Sequence, residues 1–529
     1  MKSMITRGVA ASCAVAALFA AGSAEARFRN GPKYVFFFVG DGMASVQIQA
    51  AEAYKTHMNG DNPDNPADLM KTENRLNMSQ LPIAGVSTTF ADTQFITDSA
   101  AAATAFCCGI KTAPGVIGRN TDLDTSYLSI AEVAQEKGKA IGIISSVSLP
   151  HATPAGCYAR VNSRNSYTEI GYQASLSGFE FFGGGCFRKL DKTDNAGGIA
   201  VSNAFSNAGY VTVNTVEDAL AQPQEQKVIC SVPVSYGSDA MPYAIDNPEE
   251  NFSLAEVTGC AIERLKCDRD GFFIFVEGGK IDWAGHANDA KANILDTLAF
   301  DEAVGVAMDF MKKHPWETLI AVTGDHETGG MTLGYAGTKY QTAFEVLDGQ
   351  LVSYELMTGG MYQYKAADSN YVDASSDIDA GMIELIESLS GMVWSDEEWT
   401  KDSPANYLSD YQKSLLEEAF DRFMGGSKGN QTITGYDLQG PTTIDYENYG
   451  GSYNPIVMTL THIINQEAGL GWTSYSHTCV PVPVMAVGLE GWRFTGSYDN
   501  TDIAKRLAKA MRARSLPAVD KDYDGELNY

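Results

Sequence analysis

The sequence predicts an α/β fold, a doubly wound three-layer sandwich with helices on both faces of a central, mostly parallel sheet. Three observations carry this expectation. Five short apolar runs punctuate the chain, continuous rather than alternating, as in strands covered on both faces. Helical patterning separates several of them. Four of the runs lead directly into carboxylates, imidazoles or hydroxyls, and open α/β sheets bind ligands beyond the carboxyl ends of their strands.

In chain order the runs are "KYVFFFVG" (33–40), "KAIGIISS" (139–146), "GFFIFVEGG" (271–279), "ETLIAVTGDH" (317–326) and "VPVMAVG" (482–488). All five read as buried parallel strands. Asp41 follows the first, His151 and Thr153 the second, Glu277 closes the third, and Asp325 with His326 closes the fourth. Helices are expected at 127–139 and 292–313. The stretch from about 333 to 470 is Tyr-rich and acidic, and reads as a large insertion subdomain. Within it, 410–424 places Tyr411, Leu415, Phe420 and Phe423 on one apolar face. A second helix opens with Asn454 as cap and Pro455 in its first turn.

Residues 1–26 read as a secretory signal: Lys2 and Arg7, an apolar run, then Ala24-Glu25-Ala26 before Arg27. The expected destination is the periplasm or the medium, with residues 27–529 as the catalytic domain. No later segment reaches the ~18 apolar residues of a membrane span. A net charge of -28 disfavours nucleic acid, whose affinity rests on Lys and Arg contacts. Export permits disulfides among the eight cysteines after Cys13, and spacing makes Cys260–Cys267 and Cys157–Cys186 the plausible local pairs. Asp520, Asp522, Asp524 and Gly525 begin a calcium-loop pattern, but its closing Glu falls past the last residue, so the tail reads as solvated.

Each chemistry-bearing residue has a plain structural reading. Asp41 in "VGDGM" suits a turn, and Asp98-Ser99 before an alanine-rich run suits a helix cap. Arg160 and Arg164 suit a surface. The functional readings differ. A hydroxyl at a helix N-terminus sits where backbone N–H groups favour phosphate, and an adjacent metal would stabilise its alkoxide. No G-x-S-x-G elbow surrounds Ser99, which argues against an ordinary serine hydrolase. Arginine recognises phosphate oxygens in bidentate fashion. Asp282 and His286 share a face if their segment turns helical, and carboxylate with imidazole suits zinc. His477 lies in "SYSHTCVPVPV"; His57, His314 and His462 look ordinary.

Together the strings "FFFVGDGM", "TDSAAAATAF", "HATPAGCYAR" continuing to Arg164, "FVEGGKIDWAGH", "TGDHETGG" and "SHTCVPVPV" resemble the alkaline phosphatase family, in the family's order. The resemblance implies a phosphomonoesterase with two Zn2+ and one Mg2+. It assigns Asp282, His286 and His477 to the first zinc, and Asp325 and His326 to the second. Asp41 reaches from the second to the third ion, whose set Thr153 and Glu277 complete. Ser99 is the implied phosphorylated nucleophile, Arg164 the phosphate clamp, and Asp98 the group that orients it. His151 and Trp283 stand where one bacterial branch has Asp and Lys. His151 thus coordinates the third metal or holds its water, and another divalent ion could fill that site. Thr328 stands where some branches carry a further His. Family members are often dimeric, so a homodimer is one expected state. The competing readings are a phosphodiesterase or sulfatase of the same superfamily and, further off, a non-catalytic exported binder of metal or phosphate.

Overall fold

A computed structural model describes residues 31–367, 378–397, 400, 403–424, 449, 451 and 453–521. The expected signal (1–26) and Asp522, Asp524 and Gly525 of the tail lie outside the described residues. The strands, in order, are β1 (Tyr34–Gly40), β2 (Ile83–Ser87), β3 (Ala140–Ser145), β4 (Phe181–Gly184), β5 (Tyr210–Val213), β6 (Lys227–Ser231), β7 (Phe272–Gly278) and β8 (Thr318–Gly324). There follow β9 (Glu327–Thr328), β10 (Thr332–Leu333), β11 (Leu470–Gly471), β12 (His477–Thr478), β13 (Val482–Gly488) and β14 (Gly496–Tyr498).

Ten strands form one sheet in the order β14-β2-β13-β8-β1-β7-β3-β4-β6-β5, and β12-β9 and β10-β11 are small ladders. β1 lies between β7 and β8, parallel to both, with Gly40 level with Gly278 and Gly324. Asp41, Glu277 and Asp325 therefore reach the same edge of the sheet. Successive residues of β1 feed opposite layers. Tyr34, Phe36 and Phe38 enter one apolar core, and Val35, Phe37 and Val39 enter the other. The long helix Ala290–Lys313 covers the first layer; Ser99–Cys108 and Thr501–Ala510 cover the second. Each fully buried Phe contributes roughly 1.5–3 kcal/mol by burial, which fixes which way the strand faces.

Several expectations need correction. β13 is antiparallel to β8 and β2, not parallel. The chain reaches β13 from β12, which is already at the active edge beside β9, so β13 can only run back down the sheet. The helix expected at 127–139 spans only Ile130–Gln135, with Ser129 and Glu132 as a capping box. In Asp410–Met424 the buried face is Leu416, Ala419, Phe420 and Phe423, while Tyr411 is 72% exposed. Asn454 does cap Pro455–Glu467, accepting from the N–H groups of Ile456 and Val457. The described helices between 344 and 467 send Leu347, Met357, Met361, Leu416, Phe420 and Leu460 into the same core as the first sheet face.

The eight described cysteines are free thiols in other company than spacing suggested. Cys157 Sγ lies 3.7 Å from Cys107 Sγ, because Gly156 seats its segment against Ala103 of the Ser99–Cys108 helix. Cys260 faces Cys230 of β6, while Cys267 is exposed beyond the end of the Leu254–Leu265 helix. Arg160 is not a surface residue. It is buried and paired with Glu132 and, at 3.0 Å, with Asp520. Among the described residues no helix is long and apolar enough to cross a membrane.

Candidate active site

β1 ends in a turn at Asp41-Gly42. Gly42 has φ +74°, and a Cβ there would stand 2.7 Å from the Asp282 Cα. Only glycine lets the Asp41 loop lie this close to the Lys280–His286 helix. That helix places Asp282 and His286 on one face, with Nε2 of the imidazole 3.4 Å from Asp282 Oδ2. β12 brings His477 to the same place, 3.1 Å from His286 between the two Nε2 atoms.

Ser99 begins a ten-residue helix whose every residue is buried, which explains its alanines: larger side chains would hold it off its neighbours. Asp98 does both jobs its sequence suggested. Its Oδ1 caps the helix through the Ala101 N–H, and its Oδ2 accepts from Arg164 Nη1 at 3.0 Å. The other Arg164 terminal nitrogen, Nη2, donates to His151 Nε2 at 3.0 Å. Ser99 Oγ lies 3.4 Å from His326 Nε2 and 3.5 Å from Asp41 Oδ1. Thr153 Oγ1 donates to Asp41 Oδ2 at 3.2 Å.

Three groups could each hold an ion: Asp282, His286 and His477; Asp41, Asp325 and His326; Asp41, His151 and Glu277. The structure thus brings together all twelve residues singled out in the sequence. Sequence reasoning missed their supports. His286 Nδ1 donates to the Tyr475 carbonyl at 2.6 Å and His477 Nδ1 to the Thr97 carbonyl at 2.8 Å. A carbonyl only accepts, so each Nδ1 carries a hydrogen, which leaves each Nε2 as the atom that would meet a metal. Ser145 Oγ holds Glu277 Oε2 at 2.5 Å. Its signal was available, since Ser145 ends an apolar run one strand over, level with Glu277.

The electrostatics fit bound cations. Burial, then the Asp325 charge, pushes Glu277 up to about 8; burial and Asp282 push Asp325 up to about 7. Burial and three neighbouring carboxylates raise Asp41 as well. Burial opposes the charged Asp282, yet His286 and His477 hold it well below the ordinary range. Burial and Arg164 lower His151 to about 3, so its ring is neutral. Glu277 Oε1, Asp325 Oδ2 and His151 Nδ1 are buried with no hydrogen-bond partner, and carboxylates left in that state need positive charge. Hard oxygen donors around Asp41 and Glu277, and mixed imidazole and carboxylate elsewhere, suit divalent ions.

A sheet edge with a capped serine, a half-buried arginine and three groups that could each hold an ion is the layout of a metal-dependent hydrolase. A family model described as "Alkaline phosphatase" matches residues 32–179 and 187–513, and the chain belongs to that family. It is a phosphoric monoester hydrolase. It is 29% identical to alkaline phosphatase 3 of Bacillus subtilis over 81% of this chain and 80% of that one. It is 26% identical to the repressible alkaline phosphatase of Saccharomyces cerevisiae over 92% and 83%. Its fold matches the crystal structure of Thermus thermophilus alkaline phosphatase with TM-score 0.70 at 24% identity, covering 94% and 96% of the two chains. The cold-active enzyme of a psychrophilic Shewanella sp. matches at 0.68 and 24%, covering 90% and 99%. Members of this family bind divalent metals.

Proposed function

We propose that the chain hydrolyses phosphate monoesters through a phosphoserine at Ser99, with two Zn2+ and a third divalent ion, Mg2+ by the donor set. The observation that carries this reading is the placement of Ser99 Oγ, at a helix N-terminus and within 3.5 Å of both His326 Nε2 and Asp41 Oδ1. Asp282, His286 and His477 would hold the first zinc; Asp41, Asp325 and His326 the second; Asp41, Thr153 and Glu277 the third ion. When bound, these ions supply Lewis acidity and lower the pKa of the attacking oxygens.

Ser99 Oγ gives up its proton to solvent and attacks phosphorus in line, its P–O bond forms, and the ester P–O bond breaks. The departing alkoxide takes a proton from water. Water then attacks the phosphoserine from the vacated side and gives up a proton, and the Ser99 oxygen leaves and takes one up. Two displacements retain configuration at phosphorus. Arg164 neutralises equatorial oxygens throughout, held by Asp98 on one side and His151 on the other. His151 Nε2 accepts from Arg164, so the neutral ring carries its hydrogen on Nδ1. An N–H cannot ligate a metal. This supports His151 as holder of a water on the third ion rather than as its ligand.

Parallel rates on a phosphate monoester, a diester and a sulfate ester test the reading. The monoester is expected to react at least about 100-fold faster, since the charge of Arg164 and the third ion suits a dianion. Faster turnover of the diester or the sulfate contradicts it. Export is part of the proposal: the secreted protein is expected to begin at Arg27, and a mature chain retaining residues 1–26 counts against it.

A further inference from the structure

β9 is only two residues long, yet it touches the Asp41-Gly42 turn, the Lys280–His286 helix and β12. Thr328 pairs with His477 across the β9–β12 ladder, and its N–H donates to the Gly42 carbonyl at 3.3 Å. Its side chain is fully buried and sits where neighbours lack a Cβ. A Cβ on Gly42 would stand 2.9 Å from Thr328 Oγ1, and one on Gly285 would stand 3.1 Å from Thr328 Cβ. Two glycines on two different elements thus make room for one hydroxyl.

That hydroxyl has two partners, and they belong to different metal groups. Thr328 Oγ1 donates to Asp282 Oδ1, and it lies 3.3 Å from His326 Nδ1. A threonine hydroxyl has one hydrogen. With that hydrogen given to the carboxylate, it can only accept from His326, so Nδ1 of the neutral ring must be the N–H. The His326 Nε2 lone pair is then the one directed at Asp41 Oδ1 (3.5 Å), Asp325 Oδ2 (3.3 Å) and Ser99 Oγ. The same hydroxyl occupies one oxygen of Asp282 and so fixes how that carboxylate faces His286 and His477.

We propose that Thr328 is a positioning residue shared by the two zinc groups: its single hydroxyl orients the Asp282 carboxylate of one and selects the metal-binding tautomer of His326 in the other. The proposal rests on the metal reading above. It makes the two groups a coupled pair, with a shared support that neither ligand set contains.

The test measures Zn2+ affinity directly, by competition with a chromophoric chelator, without substrate. Asp325→Asn leaves the first zinc group intact and His286→Ala leaves the second. In each background Thr328→Val, which keeps the β-branch, is expected to weaken Zn2+ binding about 10–100-fold, as loss of a ligand's hydrogen-bonded support does elsewhere. Thr328→Ser is expected to restore it to within about threefold, since the hydroxyl is what acts. Unchanged affinity in either background overturns the shared role, and so does failure of serine to rescue. If the parent binds no Zn2+, the metal reading itself has failed. Should the valine variant not fold, the 15N shifts of the His326 ring in the zinc-free parent still decide: hydrogen on Nδ1 is expected, and hydrogen on Nε2 overturns the proposal.

Discussion

Glu355→Ala should destabilise the protein far more than its distance from Ser99 suggests. Lys280 opens the helix that carries Asp282 and His286, and its side chain is fully buried. Its ammonium lies 3.3 Å from Glu355 Oε2 and 3.6 Å over the Tyr243 ring. Glu355 comes from the Tyr354–Ala367 helix, within the stretch read as an insertion. Removing one partner of a buried pair costs about 3–5 kcal/mol, because the other charge is left in a low dielectric. Two features reduce that here. The Glu355 side chain is 25% exposed, and Asp296 and Asp246 also attract Lys280. The expected loss is therefore about 2 kcal/mol, read from urea unfolding of the metal-loaded protein. Adding Lys280→Met to the variant removes the stranded charge and is expected to recover more than half of the loss. Glu355→Ala within about 0.5 kcal/mol of the parent, near the scatter of ordinary surface changes, refutes the reasoning. So does a double variant no more stable than the single.

Arg164→Ala removes a charge-assisted contact to phosphate, worth about 1.5–3 kcal/mol, so kcat/KM on a monoester should fall roughly 10–150-fold while diester turnover changes less. Gly42→Ala forces a Cβ into the Asp282 backbone at a φ of +74°, and should reduce zinc content and activity together. Metal-free protein should lose stability as pH rises from about 5 to 8. The Glu277 and Asp325 carboxyls titrate near 8 and 7 when folded, above their unfolded values. The folded state thus binds more protons over this window, and stability falls with pH. The effect is on the order of 4 kcal/mol per carboxyl at most, it should appear in melting temperature, and saturating Zn2+ and Mg2+ should abolish it.

The central strands and the convergence of the twelve candidate residues were legible because both leave local traces. A strand buried on two faces is a continuous apolar run, and a ligand at its end breaks that run abruptly. β2, β4, β5, β6 and β14 left weaker traces. They are three to five residues long, and β2 exposes alternate residues, so neither length nor apolar continuity marked them. The direction of β13 was illegible because it depends on where the preceding chain lies in space. The cysteine neighbours failed for the same reason: Cys107 and Cys157 are brought together by helix packing across 50 residues, which spacing does not encode. Thr328 was visible only as a histidine that is absent. Its role appears once β9 places it between Asp282 and His326.

Phosphate trapped on the protein tests the central claim most directly. A labelled monoester is quenched at low pH during turnover, and the chain is digested and mapped. One phosphate per active chain on Ser99, absent from Ser99→Ala together with turnover, is the predicted result. Full turnover by Ser99→Ala, or label on another residue, would contradict the account.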